Sequence, residues 1–89
     1  MKDSPVTLKN RLGLHARAAS KLVQTASRFE ARVEISFQGK TVNAKSIMGV
    51  LLLGAPCGAQ LTLNIDGPDE EQALLALIDL VENRFGEGE

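Results

Sequence analysis

The sequence predicts an α+β fold, a two-layer, open-faced sandwich in which three helices cover one face of a four-stranded antiparallel sheet. Apolar and polar residues alternate in four short segments, which indicates strands with one face in water. Spacings of three and four between apolar residues indicate amphipathic helices in between. The elements follow in the order βαββαβα, and 89 residues are enough for a single domain, residues 1–89.

The first strand and the first helix follow from local apolar patterns. Val6 and Leu8 alternate with polar neighbours and predict a strand that ends near Asn10. Residues 16–29 predict an amphipathic helix. Its expected apolar face is Ala16, Ala19, Leu22, Val23, Ala26 and Phe29.

A hairpin is expected next. Val33, Ile35 and Phe37 alternate with polar residues and predict a half-buried strand. Gln-Gly at residues 38–39 is a candidate tight turn, and residues 40–43 continue as a short return strand.

The second half of the chain predicts helix, strand and helix. Ser46 is a good N-cap for a short helix over residues 47–53. A fourth strand alternates at Leu61, Leu63 and Ile65. Asp69 is expected to cap the last helix, with Gln72 as its capping-box partner. The buried face of that helix is expected to be Ala73, Leu74, Leu77, Ile78 and Val81. Residues 86–89 are expected to fray.

Composition excludes several classes of protein. The net charge of −1 and apolar content of 44% are those of an ordinary soluble globular protein and argue against a general nucleic-acid binder. No apolar run is long enough to span a bilayer, and the N-terminus lacks the apolar core of a signal peptide. Cys57 is the only cysteine, so no disulfide or Cys-based metal site is expected. A cytoplasmic location follows.

His15, the only histidine, directly precedes the first predicted helix and is expected to be its N-cap. The free N–H groups of the first turn and the helix dipole favour an anion there, and they disfavour the imidazolium form of the ring. With Arg17 beside it, a neutral ring nitrogen suits phosphoryl transfer. A lone histidine at such a junction is, however, more often an ordinary surface residue.

Two segments carry a resemblance to a known family. Residues 13–17, Gly-Leu-His-Ala-Arg, form the first, and residues 42–49, Val-Asn-Ala-Lys-Ser-Ile-Met-Gly, form the second. They resemble the active-site signature and the regulatory serine region of HPr, the histidine-containing phosphocarrier of the bacterial phosphoenolpyruvate:sugar phosphotransferase system. The separation of the segments and the order of elements are similar to the family over nearly the whole chain.

The resemblance implies a covalent carrier used in sugar transport, not an enzyme. His15 is implied to accept a phosphoryl group at Nδ1 from phospho-Enzyme I, which takes it from phosphoenolpyruvate, and to pass it to an enzyme IIA domain. Arg17 and the backbone amides of Ala16 and Arg17 are implied to stabilise the phosphoryl charge. No cofactor, metal, nucleic acid or membrane insertion is expected, and the protein is expected to be a monomer.

One position departs from the family, which usually has proline where this chain has Ala18. Proline in the first turn of a helix fixes the backbone angle and removes an amide that lacks a partner. Alanine is an excellent helix former, so we expect an altered transfer rate or phosphohistidine lifetime and not a loss of function.

Ser46 has two possible roles. As an N-cap it stabilises the helix by roughly 1 kcal/mol. The resemblance implies phosphorylation by HPr kinase/phosphorylase, which would place about −2 charge at a helix N-terminus and leave the fold intact while changing docking. A P-loop is discounted, because residues 39–46 have Ala44 where the second glycine is required.

The short second helix is surrounded by more apolar side chains than one buried face needs. Exposed apolar clusters often mark interfaces, although simple burial is the alternative for Val50 and Leu53. The resemblance implies partner contacts at Ile47, Met48 and Leu51. Cations expected to ring this patch and attract acidic partners are Arg17, Lys21 and Lys45.

Two other functions stay open. The first is an HPr-like regulatory binding module whose phosphorylation at His15 or Ser46 signals to enzymes or transcription factors without sugar uptake. The second is a ferredoxin-like domain, which shares the first six elements, so that element order does not exclude it. Its metal-carrier version needs a cysteine pair, and its RNA-binding version needs strand aromatics, yet the chain has one Cys, three Phe and no Tyr or Trp.

Overall fold

A computed structural model describes residues 1–86 of the chain. The elements, in chain order, are β1 (Lys2–Thr7), α1 (Ala16–Ala26), β2 (Arg32–Phe37), β3 (Lys40–Asn43), α2 (Ile47–Leu52), β4 (Gln60–Asp66), α3 (Glu70–Glu82) and a terminal 3₁₀ turn (Arg84–Gly86). The strands pair antiparallel in the order β1-β4-β2-β3. The predicted order βαββαβα and the four-stranded antiparallel sheet are confirmed.

The sheet order separates this fold from a ferredoxin-like one. A ferredoxin-like sheet places β1 and β3 side by side at its centre, whereas here they form the two edges. The inward-facing side chains of the strands are apolar and meet in register, as in the pair Val33 and Ile65 and the pair Ile35 and Leu63. They form one buried layer under the helices.

The first strand begins and ends earlier than its apolar pattern predicts. β1 pairs with β4 from Lys2 to Thr7, so the prediction of a strand ending near Asn10 was wrong. The backbone pairing includes the polar start of the chain, which carries no alternating signal. Leu8 still donates to Ala59 O (2.9 Å), but the chain turns before it reaches the first helix.

Helix α1 is shorter than predicted, and its buried face is shifted. It ends at Ala26 and not at Phe29, which lies half-buried after the helix. Ala16 is exposed, while Ala18 is fully buried. The complete buried set is Ala18, Ala19, Leu22 and Ala26. Because these are mostly alanines, α1 can pack closely against α2 and α3.

The predicted capping box of α3 is wrong. Asp69 is the N-cap, but its carboxylate accepts from the backbone N–H groups of Glu30 (2.9 Å) and Ala31 (2.8 Å). Glu70 Oε1 instead accepts from the backbone N–H of Gly67 (3.1 Å). The side chain of Asp69 therefore ties the loop before β2 to the start of α3. The predicted buried face of α3 is confirmed at its fully buried members, Ala73, Leu77 and Val81.

The end of the described chain is ordered by a buried aromatic ring. Phe85, in the terminal 3₁₀ turn, is fully buried with φ 54°. Gly86 donates to Asn83 O (2.9 Å). The predicted fraying of residues 86–89 otherwise concerns residues 87–89, which lie outside the described residues.

Candidate functional site

His15 is the N-cap residue of α1, as predicted. Its backbone is extended (φ −80°, ψ 178°), and its carbonyl accepts the first helical hydrogen bond from Ala19 N–H (2.8 Å). The residue is half-buried, and its side chain makes no capping hydrogen bond to the helix. The sequence pattern at this junction was sufficient to locate the start of the helix.

The first turn of α1 is electropositive. Its amides lack helical acceptors, and no acidic side chain lies in the turn. Arg17, the second residue of the helix, is exposed and adds a formal positive charge. The turn therefore has the donors and the charge that a phosphoryl group needs beside a nucleophilic nitrogen.

Ala18 is the third residue of α1 and is fully buried. A proline is compatible with this position, because an amide in the first turn has no helical acceptor to lose. The burial means that the additional ring carbons of proline would contact the core. The predicted effect of the alanine on transfer rate or phosphohistidine lifetime stays a prediction.

The loop before His15 is held by Gly13, the first residue of the 13–17 segment, and by Asn10, which no sequence pattern singles out. Asn10 is fully buried, and its side-chain amide donates to Gly13 O (2.6 Å). Gly13 has φ +66°, and a Cβ there would lie 2.4 Å from Ala55 O. Leu14 N–H donates to that same Ala55 O (2.9 Å). The glycine in the sequence indicates a turn at this position, whereas nothing in the sequence indicates that Asn10 is buried.

Ser46 caps α2, as predicted. Its Oγ accepts from Gly49 N–H at 3.2 Å. Its backbone carbonyl accepts from Val50 N–H (3.0 Å). The hydroxyl is part-buried and already has a structural role in the unmodified protein.

Helices α1 and α2 lie antiparallel, which places His15 and Ser46 at opposite ends of the pair. Lys45, just before α2, donates from Nζ to Phe29 O (2.7 Å), just beyond α1. At the other end, Leu14 before α1 bonds to Ala55 after α2. The six residues of α2 span roughly 9 Å between those ends.

The outer side of α2 is an exposed apolar surface. Ile47, Met48 and Leu52 are 39%, 63% and 70% exposed, respectively. Val50 and Leu53 are buried, which confirms the alternative stated for them. Leu51, another implied partner contact, is only partly buried and packs against the core. Leu12, in the loop before His15, is 66% exposed and was not singled out from the sequence.

The three cations expected around this surface are not equivalent. Arg17 is exposed, whereas the ammonium groups of Lys21 and Lys45 donate to backbone carbonyls, that of Lys21 to Phe85 O at 2.6 Å. Each lysine is half-buried along its stem and links separate segments of the chain. Their role in attracting partners stays a prediction.

Residues 1–86 contain no group of three or more His, Cys, Asp and Glu side chains that could hold a metal ion. Cys57 is exposed, in the loop that follows Ala55. In the same described range, none of the helices has both the length and the apolar character that a membrane span requires.

Comparisons with known proteins agree with this arrangement. A family model described as "PTS HPr component phosphorylation site" matches residues 2–83. The phosphocarrier protein HPr of Cupriavidus necator is 53% identical over 89 residues and covers 100% of both chains. The phosphocarrier protein HPr of Xylella fastidiosa is 53% identical over 87 residues and 98% of each chain. The crystal structure of HPr-C-His from Thermoanaerobacter tengcongensis gives a TM-score of 0.95 at 48% identity over 98% of each chain.

Proposed function

The chain belongs to the HPr family of phosphocarrier proteins of the bacterial phosphotransferase system, and on this basis we propose that His15 is its phosphoryl acceptor and donor. The observation that carries the proposal is the position of His15 at the start of a helix. The residue is half-exposed and is the N-cap of α1, next to a first turn that contains no acidic side chain. A negative group on this ring is stabilised where it forms.

The proposed reaction is a transfer between two imidazole rings. The lone pair of His15 Nδ1 forms a bond to phosphorus while the phosphorus–nitrogen bond of phospho-Enzyme I breaks. The electron pair of the broken bond returns to the Enzyme I ring, so no redox step is involved. The amides of Ala16 and Arg17 and the guanidinium of Arg17 stabilise the transferred charge. The same steps in the other direction deliver the group to an enzyme IIA domain in the cytoplasm.

The exposed side of α2 is the proposed docking surface for both partners. Ile47 and Met48 offer exposed apolar area on the helix that lies beside α1. Arg17 at one end supplies charge that attracts acidic partners. Phosphorylation at Ser46 would add about −2 charge at the other end of this surface and weaken docking by repulsion, while the phosphate oxygens continue to accept from Gly49 N–H.

The first test is the intact mass of the protein after incubation with Enzyme I and phosphoenolpyruvate. We expect one added phosphoryl group that is labile in acid, absent from His15→Ala and retained in Ser46→Ala. No added mass with a cognate Enzyme I would overturn the carrier proposal. In that case the HPr-like regulatory binding module, acting through Ser46, becomes the function to examine.

The substitution Ala18→Pro tests the departure from the usual family sequence. We expect α1 to stay intact by circular dichroism and the transfer rate or the lifetime of the phosphohistidine to change. The reason is that proline fixes the backbone angle and removes one amide of the phosphoryl-binding turn. Identical kinetics and lifetime in the two proteins would show that position 18 is silent.

A further inference from the structure

The peptide group between Gly13 and Leu14 is fixed from both sides. Its carbonyl oxygen accepts from Asn10 Nδ2 at 2.6 Å. Its N–H, on the Leu14 side of the same plane, donates to Ala55 O at 2.9 Å. Because the peptide is planar, two opposed hydrogen bonds determine its orientation.

Burial makes the Asn10 bond effective. Asn10 is fully buried, so its hydrogen bond to Gly13 O lies in a region of low dielectric and is not exchanged for one to water. Gly13 N–H also donates to Asn10 O (3.2 Å), which closes the turn on itself. A buried asparagine that only filled space would be better replaced by an apolar side chain, so the polar contact is the reason for this residue type.

Little freedom is left between this peptide and the His15 ring. Leu14 is 4% exposed, so its side chain is anchored in the core. On the other side, the carbonyl of His15 is held by Ala19 N–H. The backbone of His15 is therefore restrained from both directions.

We propose that Asn10 is a positioning residue for phosphoryl transfer. Its side-chain amide orients the Gly13–Leu14 peptide and thereby the backbone that carries the His15 ring at the start of α1. It touches neither the phosphoryl group nor the partner. The inference rests on the proposed function of His15 and adds a residue that acts on the rate of transfer and not on docking.

The test is Asn10→Ala, compared with the parent and with Val33→Ala. Val33 is fully buried in β2, at the end of the molecule where Lys45 bonds to Phe29, far from the His15 loop. With the protein as the varied substrate of Enzyme I, we expect Asn10→Ala to lower kcat by about tenfold or more and to leave KM within about twofold. Val33→Ala should change neither, at a temperature where all three proteins are folded.

A second readout does not depend on phosphorylation. In Asn10→Ala, hydrogen exchange of the Leu14 amide should accelerate and the ring nitrogen shifts of His15 should move, while amides in β4 stay protected. Should Asn10→Ala not fold, Asn10→Ser is measured instead, because its short hydroxyl does not reach Gly13 O. Unchanged kcat and Leu14 exchange would overturn the proposal, and so would an equal loss of kcat in Val33→Ala. A parent protein that takes no phosphoryl group overturns the carrier function alone, and the exchange data still decide the role of Asn10.

Discussion

Helices α1 and α3 begin in opposite ways. The first turn of α3 carries Glu70 and Glu71, and Glu70 also accepts a hydrogen bond from Gly67 N–H. The first turn of α1 has no acidic side chain, and its N-cap residue, His15, makes no capping hydrogen bond. One helix neutralises its positive end with its own carboxylates, and the other leaves that charge to be met from outside.

This difference between the two first turns indicates that the acidic residues of α3 serve stability, whereas α1 keeps its positive end available for an anion. Acidic residues in a first turn stabilise a helix by about 0.3–1 kcal/mol each, and α1 lacks this contribution. The start of α1 is instead held by backbone contacts to the loop after α2. An anion that binds at the start of α1 therefore meets a helix dipole that no acidic residue of the first turn neutralises. The backbone contacts that hold this end of the helix form without the anion.

The largest effect is expected from Gly13→Ala, which disturbs the loop that holds the start of α1. The alanine would sit at positive φ and its Cβ would lie 2.4 Å from Ala55 O. We expect the free energy of unfolding to fall by about 3 kcal/mol, from backbone strain and overpacking together. Urea denaturation measures the loss.

Gly58→Ala is the matched control for this prediction. Gly58 also has positive φ (+87°), but a Cβ there meets nothing within 4 Å. It should lose only the conformational part, about 1–2 kcal/mol. Equal losses in the two variants would show that the close approach of Gly13 to Ala55 contributes nothing.

Ala16→Glu gives α1 an acidic side chain in its first turn, as α3 has. Ala16 is exposed, so the carboxylate is accommodated without repacking. Helix stability should rise by up to about 1 kcal/mol. Phosphoryl acceptance should slow about tenfold, because a doubly charged group about 6 Å from a carboxylate in water is repelled by about 1.4 kcal/mol.

Ala16→Gln, which has nearly the same shape without the charge, is the control. It should keep the parent rate of phosphoryl transfer from phospho-Enzyme I when the three proteins are compared by stopped-flow kinetics. A glutamine variant as slow as the glutamate variant would assign the effect to steric interference with the donor and not to charge.

The start of α2 provides the third case, because its cap is a side chain. Ser46→Ala should lower the free energy of unfolding by about 1 kcal/mol, since the bond from Gly49 N–H to Ser46 Oγ is lost. Ser46→Asp keeps an acceptor and should retain most of the stability. Denaturant titration of the three proteins decides this, and a neutral alanine variant would contradict the capping role.

The smallest effect concerns pH and the start of α3. Hydrogen bonds from the backbone N–H groups of Glu30 and Ala31 hold the pKa of Asp69 below its usual value of 3.8. This carboxylate therefore stabilises the fold fully above that value, and the contribution is lost as pH falls through the lower pKa of the folded state.

Asp69→Asn should flatten this part of the stability profile. Unfolding free energies measured from about pH 6 down to about pH 2 should converge for parent and variant at the acid end. Asp3→Asn, an exposed substitution in β1, is the control and should run parallel to the parent. Parallel profiles for Asp69→Asn as well would remove Asp69 from the acid-dependent part of stability.

The sequence pattern predicted those features that are set by residues close together in the chain. The start of α1 at His15, the cap at Ser46 and the alternation in β2 and β4 are all set by neighbours within a few positions. The element order and the sheet followed from these patterns.

Features that depend on distant contacts were not predictable. The polar start of β1 becomes a strand because β4 lies beside it. Asn10 is buried in a loop whose Leu14 N–H donates to the distant Ala55 O. Phe85 is buried in the core although it lies next to a segment that was expected to fray. Asp69 bonds to the backbone of residues 39 and 38 positions away and not to its own helix.

The antiparallel arrangement of α1 and α2 places His15 and Ser46 at the two ends of one surface. The phosphorylation proposed at His15 and at Ser46 would give four covalent forms of one small surface. A partner with an ordinary footprint of about 800 Å² spans the roughly 9 Å of α2 and meets both ends at once. One binding event would then report on both modifications, and the protein would combine two signals without any change in its fold.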